Sequence, residues 1–231
     1  MTDYWHLRKI NWLSGLRPSE AEALHRASRP LSFSGGEAVF GPTREPGHVY
    51  LLEEGLVRIH RVSADGHEYT LAYVHPGEVF GHVSVLSDQP RESFATARRR
   101  SRVLQIPREV FVNTLQANRS VLYQVAKRIG QRLLTCYSRA EDLVFRNVPS
   151  RLARLLLRLA EEYGREVGGR ISVELQLTQD ELAMLIGATR QTVSLALREM
   201  IGAGLIERED RQLVLANPGA LRLLAELPAS N

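Results

Sequence analysis

The sequence of 231 residues has a single cysteine and no long uninterrupted apolar segment. Cys136 has no partner for an intramolecular disulfide, and a site that needs several cysteines, such as an iron–sulfur cluster or structural zinc, is excluded. No segment approaches the ~18 to 20 consecutive apolar residues that cross a membrane, and the first residues lack the basic and then apolar order of a signal peptide. We therefore expect a cytoplasmic protein with no membrane partner.

The sequence signatures of catalysis are also missing. We find no His-Glu-x-x-His motif, no glycine-rich phosphate loop that opens a helix, and no Ser-His-Asp order with a supporting motif. The seven histidines are scattered along the chain. We expect that the protein is not an enzyme and that it holds neither a metal ion nor a cofactor.

The composition is that of a globular protein, with 44% hydrophobic and 24% charged residues. The net charge is +4 and the sequence pI is about 9.5. From Arg146 onward, eleven arginines are balanced by eleven acidic residues, so the positive excess lies earlier and includes Arg98 to Arg100. Because an arginine-rich usage can also reflect genome composition, the overall charge does not identify a nucleic-acid partner.

Short apolar segments separated by glycines fill residues 31–107. Gly55, Gly66 and Gly77 recur at an even interval, and this spacing of turn residues predicts an antiparallel β sandwich or barrel. The predicted strands cover residues 37–40, 49–52, 56–59, 69–74 and 103–106, and short helices cover 19–24 and 107–115.

From Ser120 onward, apolar residues recur at intervals of three and four, which predicts one long helix. Its apolar seam of about three heptads is flanked by charged residues, and this pattern favours pairing with a second copy of the helix. The alternative is that the helix packs on the β domain of its own chain. We expect Cys136 to serve packing in this seam rather than redox chemistry. The predicted seam consists of Leu122, Val125, Ile129, Leu133, Cys136, Ala140 and Leu143.

A break in the long helix is predicted at Val148-Pro149-Ser150, because proline disfavours helical geometry in the preceding residue and has no backbone N–H. Beyond the break, residues 151–163 form a helix with an apolar face, which Gly164 closes. Gly168-Gly169 then turn the chain into a strand at 171–175.

Two short helices joined by a glycine turn follow. Thr178 and Glu181 form a capping box, in which each side chain bonds the backbone N–H of the other residue. This helix extends to about Ile186, Gly187 interrupts it, and Thr189 caps a second helix. Such a pair is a helix-turn-helix, and the predicted hairpin of 205–208 and 212–215, around residues 210–211, is a candidate wing.

The second helix carries the candidate DNA-reading side chains. Val193, Leu197 and Met200 form its inner face, whereas the arginine and glutamine near its start are groups that pair with guanine and adenine. Threonines at helix N-termini are placed to bind phosphates. The alternative is an ordinary helical hairpin with a solvated polar face. The candidate DNA-binding residues are Arg190, Gln191, Ser194, Leu195, Arg198, Thr178, Gln179, Thr189 and Thr192.

These segments resemble a known family. The segment from Leu177 to Ser194, followed by Leu205-Ile206, is similar to the winged helix of the cyclic-AMP receptor protein and fumarate–nitrate regulator (CRP/FNR) superfamily. Segments 77–81, 89–91 and 103–108 resemble the β-roll and phosphate-binding cassette of that family, so the likeness covers essentially the whole chain. The resemblance implies an α+β fold with an N-terminal antiparallel β-roll sensor domain of jelly-roll type at 1–119, a long dimerisation helix at 120–146 and a C-terminal winged helix-turn-helix domain at 147–231.

The resemblance further implies a homodimeric transcription regulator that binds double-stranded DNA and contacts RNA polymerase, with activation as the expected outcome. Two recognition helices on a dimer meet successive major grooves, ~34 Å apart, when the half-sites form an inverted repeat. In the family, positions matching Arg190 and Gln191 touch base edges. A third such position, usually basic, is Leu195 here, whose side chain at best meets a thymine methyl group.

The resemblance also suggests an effector pocket, in which two residues depart from the family pattern. His82 replaces a glutamate that follows the glycine, and Glu92 replaces a serine that follows the arginine. A carboxylate repels an incoming phosphate, and Glu92 is expected to pair with Arg91. The pocket residues are Gly81, His82, Val83, Arg91, Glu92, Cys136 and Tyr137.

We therefore expect the protein to bind DNA without cyclic AMP. The rival hypothesis is a response to another small molecule. The alternative of a different class is a ligand-binding regulatory module that acts through protein contacts. A lone histidine in a β domain is usually structural, so we expect no haem or metal at His82.

Overall fold

The computed structural model describes residues 16–66, 68–209 and 212–227. The chain divides into two compact units, and the division falls between Arg132 and Leu133, inside a long helix. Within the described residues, no helix is both long and apolar enough to cross a membrane.

The first unit contains two antiparallel four-stranded sheets, with strand orders β1-β8-β3-β6 and β2-β7-β4-β5. The predicted antiparallel β domain is thus confirmed, but three of its strands (β1, β6 and β7) had no clear sequence signal. Strand β6 has only two residues, and β7 reads Phe-Ala-Thr-Ala, which is weakly patterned. The strands are β1 (Arg29–Phe33), β2 (Ala38–Phe40), β3 (His48–Glu54), β4 (Val57–Val62), β5 (Glu68–Val74), β6 (Val79–Phe80), β7 (Phe94–Ala97) and β8 (Ser101–Pro107).

Four helices accompany these sheets: α1 (Pro18–Arg26), α2 (His82–Leu86), α3 (Arg108–Ala117) and the first part of α4 (Arg119–Phe145). One core cluster combines Leu24 of α1, Phe111 of α3 and Val121 of α4 with apolar residues of β3 and β8. The start of α4 is therefore fixed to the β domain of its own chain.

Helix α4 ends at Phe145, and α5 (Val148–Tyr163) begins almost at once. The break is confirmed, but the role predicted for proline is wrong. Pro149 lies in the first turn of α5, where its missing N–H has no helical partner to lose, so α5 starts three residues earlier than predicted. The Asn147 side chain caps this helix by accepting a hydrogen bond from the Ser150 backbone N–H at 3.0 Å.

The second unit continues with β9 (Gly164–Val167), β10 (Arg170–Val173), α6 (Gln179–Ile186), α7 (Arg190–Gly202), β11 (Ile206–Glu209), β12 (Gln212–Leu215) and α8 (Pro218–Glu226). Its sheet has the antiparallel order β11-β12-β10-β9. The predicted wing hairpin is β11 and β12, and its tip at 210–211 lies outside the described residues. Strand β9 had no clear sequence signal, and β10 ends at Val173 rather than at residue 175.

Candidate DNA-reading domain and effector cassette

The first helix of the helix-turn-helix starts with the predicted capping box. The Thr178 backbone N–H donates to the Glu181 carboxylate at 2.8 Å, and the Glu181 N–H donates to the Thr178 hydroxyl at 3.2 Å. The Glu181 side chain is buried, and its carboxylate also accepts a hydrogen bond from the Thr178 hydroxyl at 2.9 Å, so both the backbone and the side chain of Thr178 compensate its charge. The start of α6 is thereby fixed.

Gly187 makes the turn between α6 and α7. Its φ of +64° lies in the left-handed region, which favours glycine. A Cβ atom there would lie 3.1 Å from Cδ2 of Leu143. Thr189 then caps α7, because its hydroxyl accepts a hydrogen bond from the Thr192 N–H at 3.2 Å, and the two threonine hydroxyls are 2.8 Å apart. The two caps and the glycine fix the direction of α7.

Helix α7 has one buried face and one solvent-exposed face. Val193, Leu197 and Met200 are at most 5% exposed and form the inner side, as predicted, together with Ala196, which was not predicted. The opposite side displays the candidate DNA-reading residues. Arg190, Gln191, Thr192, Arg198 and the apolar Leu195 are exposed, Ser194 is half-buried, and on the neighbouring cap Thr178 and Thr189 are exposed and Gln179 is half-buried.

Two arginines on this domain form ion pairs that the sequence patterns did not indicate. Nη1 of Arg190 is 3.5 Å from Oδ2 of Asp180, which joins the start of α7 to the first turn of α6. Arg170 of β10 pairs with Glu207 and, at 2.8 Å, with Glu209, both on the wing strand β11. The paired residues are 10, 37 and 39 positions apart in the sequence, so no local pattern indicates these contacts.

In the first unit, Arg91 of the cassette is turned into the protein. It is 4% exposed, and its Nη2 donates to the backbone carbonyls of His48 and Gly81, each at 2.9 Å. Its guanidinium carbon lies 4.1 Å from the centre of the Phe40 ring. Burial lowers the pKa of Arg91, and the neighbouring Tyr50 opposes that shift. The arginine that the resemblance assigns to phosphate binding is thus engaged internally.

Gly81 allows this close packing. Its φ is +76°, and a Cβ atom would lie within 3.1 to 3.3 Å of Arg91, Phe40 and Tyr50. A side chain at this position would displace the guanidinium or the rings that flank it. The inward position of the Arg91 side chain therefore requires a glycine at position 81.

Glu92 does not pair with Arg91, so that expectation is wrong. Its carboxylate pairs instead with Arg61 of β4, because Arg91 points inward while Glu92 remains exposed. His82 is 2% exposed and Val83 is 59% exposed. Cys136 and Tyr137 are exposed and belong to the second unit, whereas the other candidate pocket residues belong to the first.

Comparison with known proteins matches both parts of the chain. The model of the cyclic nucleotide-binding domain matches residues 30–118, and that of the Crp-like helix-turn-helix domain matches residues 150–224. The CRP-like cAMP-activated global transcriptional regulator of Mycobacterium tuberculosis is 31% identical over 91% of this chain and 94% of its own length. The chain belongs to the CRP/FNR family of transcription regulators.

Further relatives agree with this assignment. Transcriptional regulator SdrP of Thermus thermophilus is 32% identical, over 85% of this chain and 94% of the relative. The structure of a CooA variant from Carboxydothermus hydrogenoformans superposes with a TM-score of 0.79 at 26% identity, covering 88% of this chain and 90% of that one. This CRP/FNR protein is accordingly a transcription regulator with a helix-turn-helix DNA-binding domain, and its family is not one of enzymes.

The long helix of this CRP/FNR protein has one predicted seam residue in the wrong place. Val125 is 6% exposed and packs in the core of its own β domain. Its neighbour Ala126 is exposed. With Ala126 in its place, the seam residues are separated by strictly alternating intervals of four and three. The exposed apolar seam, as corrected, is Leu122, Ala126, Ile129, Leu133, Cys136, Ala140 and Leu143.

Two histidines beneath α4 are buried as neutral groups. Burial, with Arg128 and Arg99 nearby, lowers the pKa of His75 to about 4. Burial, with Arg132 nearby, lowers the pKa of His82 to about 3. Arg128 itself pairs with Glu78, whose carboxylate also accepts the His75 backbone N–H at 2.9 Å.

These histidines predict acid sensitivity of the first unit. In the unfolded chain they take up protons below a pH of about 6.5, while in the folded chain they stay neutral down to about pH 4 and 3. The contribution of these two histidines to the free energy of unfolding is therefore fully present above pH 6.5. It falls as the pH drops below that value, by up to ~1.4 kcal/mol per pH unit for each histidine.

Denaturant unfolding between pH 7 and pH 4.5 measures this slope. We expect His82→Gln to flatten it, whereas His25→Gln, a change at an exposed histidine of α1, leaves it unchanged. An equal slope in the His82→Gln variant and the unmodified protein would contradict the assignment.

Proposed function

We propose that this protein is a homodimeric transcription activator that reads an inverted-repeat DNA site through the start of α7 and that binds this site without cyclic AMP. The observation that carries the proposal is the two-sided structure of α7. One face is buried in the domain, while Arg190 and Gln191 at the capped start of α7, and Arg198 further along it, are exposed to solvent.

In this proposal each exposed group has its own target. Arg190 donates two hydrogen bonds to O6 and N7 of a guanine, and Gln191 pairs with an adenine. Leu195, 50% exposed, contacts a thymine methyl group. Thr178 and Thr189 lie at helix N-termini, where free backbone N–H groups and the helix dipole favour phosphates. Gln179, Thr192, Ser194 and Arg198 supply further contacts along the same surface.

The dimer follows from the corrected seam of α4. Leu122, Leu133 and Leu143 are each about half exposed in the single chain, and a strict heptad spacing is the pattern by which two helices pair. Pairing along this seam buries Cys136 as well. A two-fold axis through the dimer then requires two half-sites in inverted orientation.

Effector independence rests on the cassette. Cyclic AMP would need the Arg91 guanidinium, which is committed to two backbone carbonyls and the Phe40 ring. The Glu92 side chain, where the family pattern has a serine hydroxyl, offers no hydrogen-bond donor to a phosphate, and its carboxylate pairs with Arg61. The second candidate is an effector-dependent regulator, and it is favoured by the 31% identity to a relative described as cAMP-activated.

Activation through RNA polymerase is the expected consequence of DNA binding, and in vitro transcription from a promoter that carries the selected site tests it. A regulatory module that acts through protein contacts alone remains the alternative of another class. It would give an exposed α7 face with no preference for any duplex sequence.

The first prediction that tests the proposed function concerns Arg190. In selection from random duplexes at one fixed salt concentration, the unmodified protein is expected to enrich an inverted repeat. Arg190→Ala is expected to reduce discrimination at one base pair of each half-site by roughly 5- to 150-fold, as for loss of one bidentate pair. Arg222→Ala, at an exposed arginine of α8, serves as the charge control. Unchanged site preference in Arg190→Ala would refute the role.

The second prediction concerns the dimer. Leu133→Glu places a charge in the centre of the seam and is expected to give a monomer in sedimentation equilibrium, with affinity for the inverted repeat reduced to that for a half-site. Leu223→Glu introduces the same change at an exposed leucine of α8 and is expected to leave the dimer intact. A dimeric Leu133→Glu variant would contradict the seam.

The third prediction concerns the effector. Calorimetric titration with cyclic AMP is expected to show no saturable binding at micromolar ligand, and DNA affinity is expected to be equal with and without it. Tight binding of cyclic AMP by the unmodified protein would overturn effector independence.

A further inference from the structure

Asp180 has no part in the cap of its own helix. The capping box of α6 uses Thr178 and Glu181, whose side chains bond the backbone reciprocally. Asp180 lies between them in the first turn and its side chain is 50% exposed. Its Oδ2 is 3.5 Å from Nη1 of Arg190, the first residue of α7. The carboxylate is therefore directed at the side chain that we propose reads a base.

A carboxylate on this surface is costly for DNA binding in general. Phosphates carry negative charge, so an unpaired aspartate at the start of α6 would repel the same backbone that the helix N-terminus attracts. On the wing, the negative charges of Glu207 and Glu209 are compensated by ion pairs with Arg170. Asp180 is likewise paired, but its partner is a recognition side chain.

Pairing changes what Arg190 is able to do. A guanidinium has five donors in one plane, and an ion pair at one of its nitrogens leaves donors free for O6 and N7 of guanine. The same contact restricts the rotamers of a long side chain, so less conformational entropy is lost when the base is bound. A held arginine is also less free to turn toward a phosphate, which carries no sequence information.

We propose that Asp180 is a positioning residue for Arg190, which it holds in the orientation that reads guanine. Its charge lowers the affinity for random DNA, while the positioning raises the discrimination between base pairs. This inference rests on the proposed function of Arg190. It assigns to α6 a contribution to sequence discrimination that acts through α7.

The test compares Asp180→Asn, which keeps the shape and removes the charge, with the unmodified full-length protein. Binding is measured at fixed salt on the selected inverted repeat, on the same duplex with the Arg190-dependent base pair replaced in both half-sites, and on a random duplex. We expect discrimination at that pair to fall by about 2- to 5-fold per half-site, the range of an exposed ion pair. Affinity for the random duplex is expected to rise, because a repelling charge is gone.

Three further variants separate positioning from general effects. Asp180→Glu keeps the charge and is expected to recover much of the discrimination. Glu161→Gln removes a negative charge at an exposed position of α5 and is expected to leave discrimination unchanged. In an Arg190→Ala background, Asp180→Asn is expected to have no further effect on discrimination, because the side chain that it positions is missing. Thermal melting of each variant confirms that it is folded.

The outcomes also separate this inference from the proposed function. If Arg190→Ala abolishes discrimination while Asp180→Asn leaves it intact, Asp180 has no positioning role and Arg190 still reads the base. An equal fall in Asp180→Asn with and without Arg190 would also overturn the inference. If the unmodified protein enriches no site, the proposed function fails and this inference fails with it.

Discussion

The DNA-reading surface that we propose depends on the burial of the opposite face of α7. Val193 and Met200 are almost fully buried, so the helix has a single orientation in its domain. Burial of such side chains stabilises the fold by roughly 1.5 to 3 kcal/mol each, well above any single exposed polar contact. The exposed polar side chains can therefore differ without changing the position of α7, because the buried face fixes that position.

The cassette illustrates the opposite situation, in which a charged group is used for packing. Arg91 is buried, and burial of a charge is tolerated only with good hydrogen-bond partners. The carbonyls of His48 and Gly81 and the Phe40 ring provide them. To bind an anion, the guanidinium would have to exchange these partners, and that exchange opposes ligand entry.

Helix α4 has two apolar faces with different roles. Val121 and Val125 pack into the β domain, whereas Leu122, Ile129 and Leu133 are exposed. Both sets recur at helical spacing, so the apolar pattern alone assigns Val125 to the wrong face. The two hypotheses that the sequence left open, packing on the β domain and pairing with a second helix, are thus compatible, since each uses a different face.

The sequence by itself determined the local features of this protein. Capping at Thr178 and Thr189, the turn at Gly187 and the buried face of α7 follow from contacts within a few residues, and all were predicted. Most strands of the β domain were also predicted, because turn glycines separate them clearly. Only the tertiary structure decided the inward position of Arg91, the pairing of Glu92 with Arg61, the face of Val125 and the contact between Asp180 and Arg190. These depend on segments that are distant in sequence or on which of two helix faces meets a neighbour, and neither property is encoded in a local pattern.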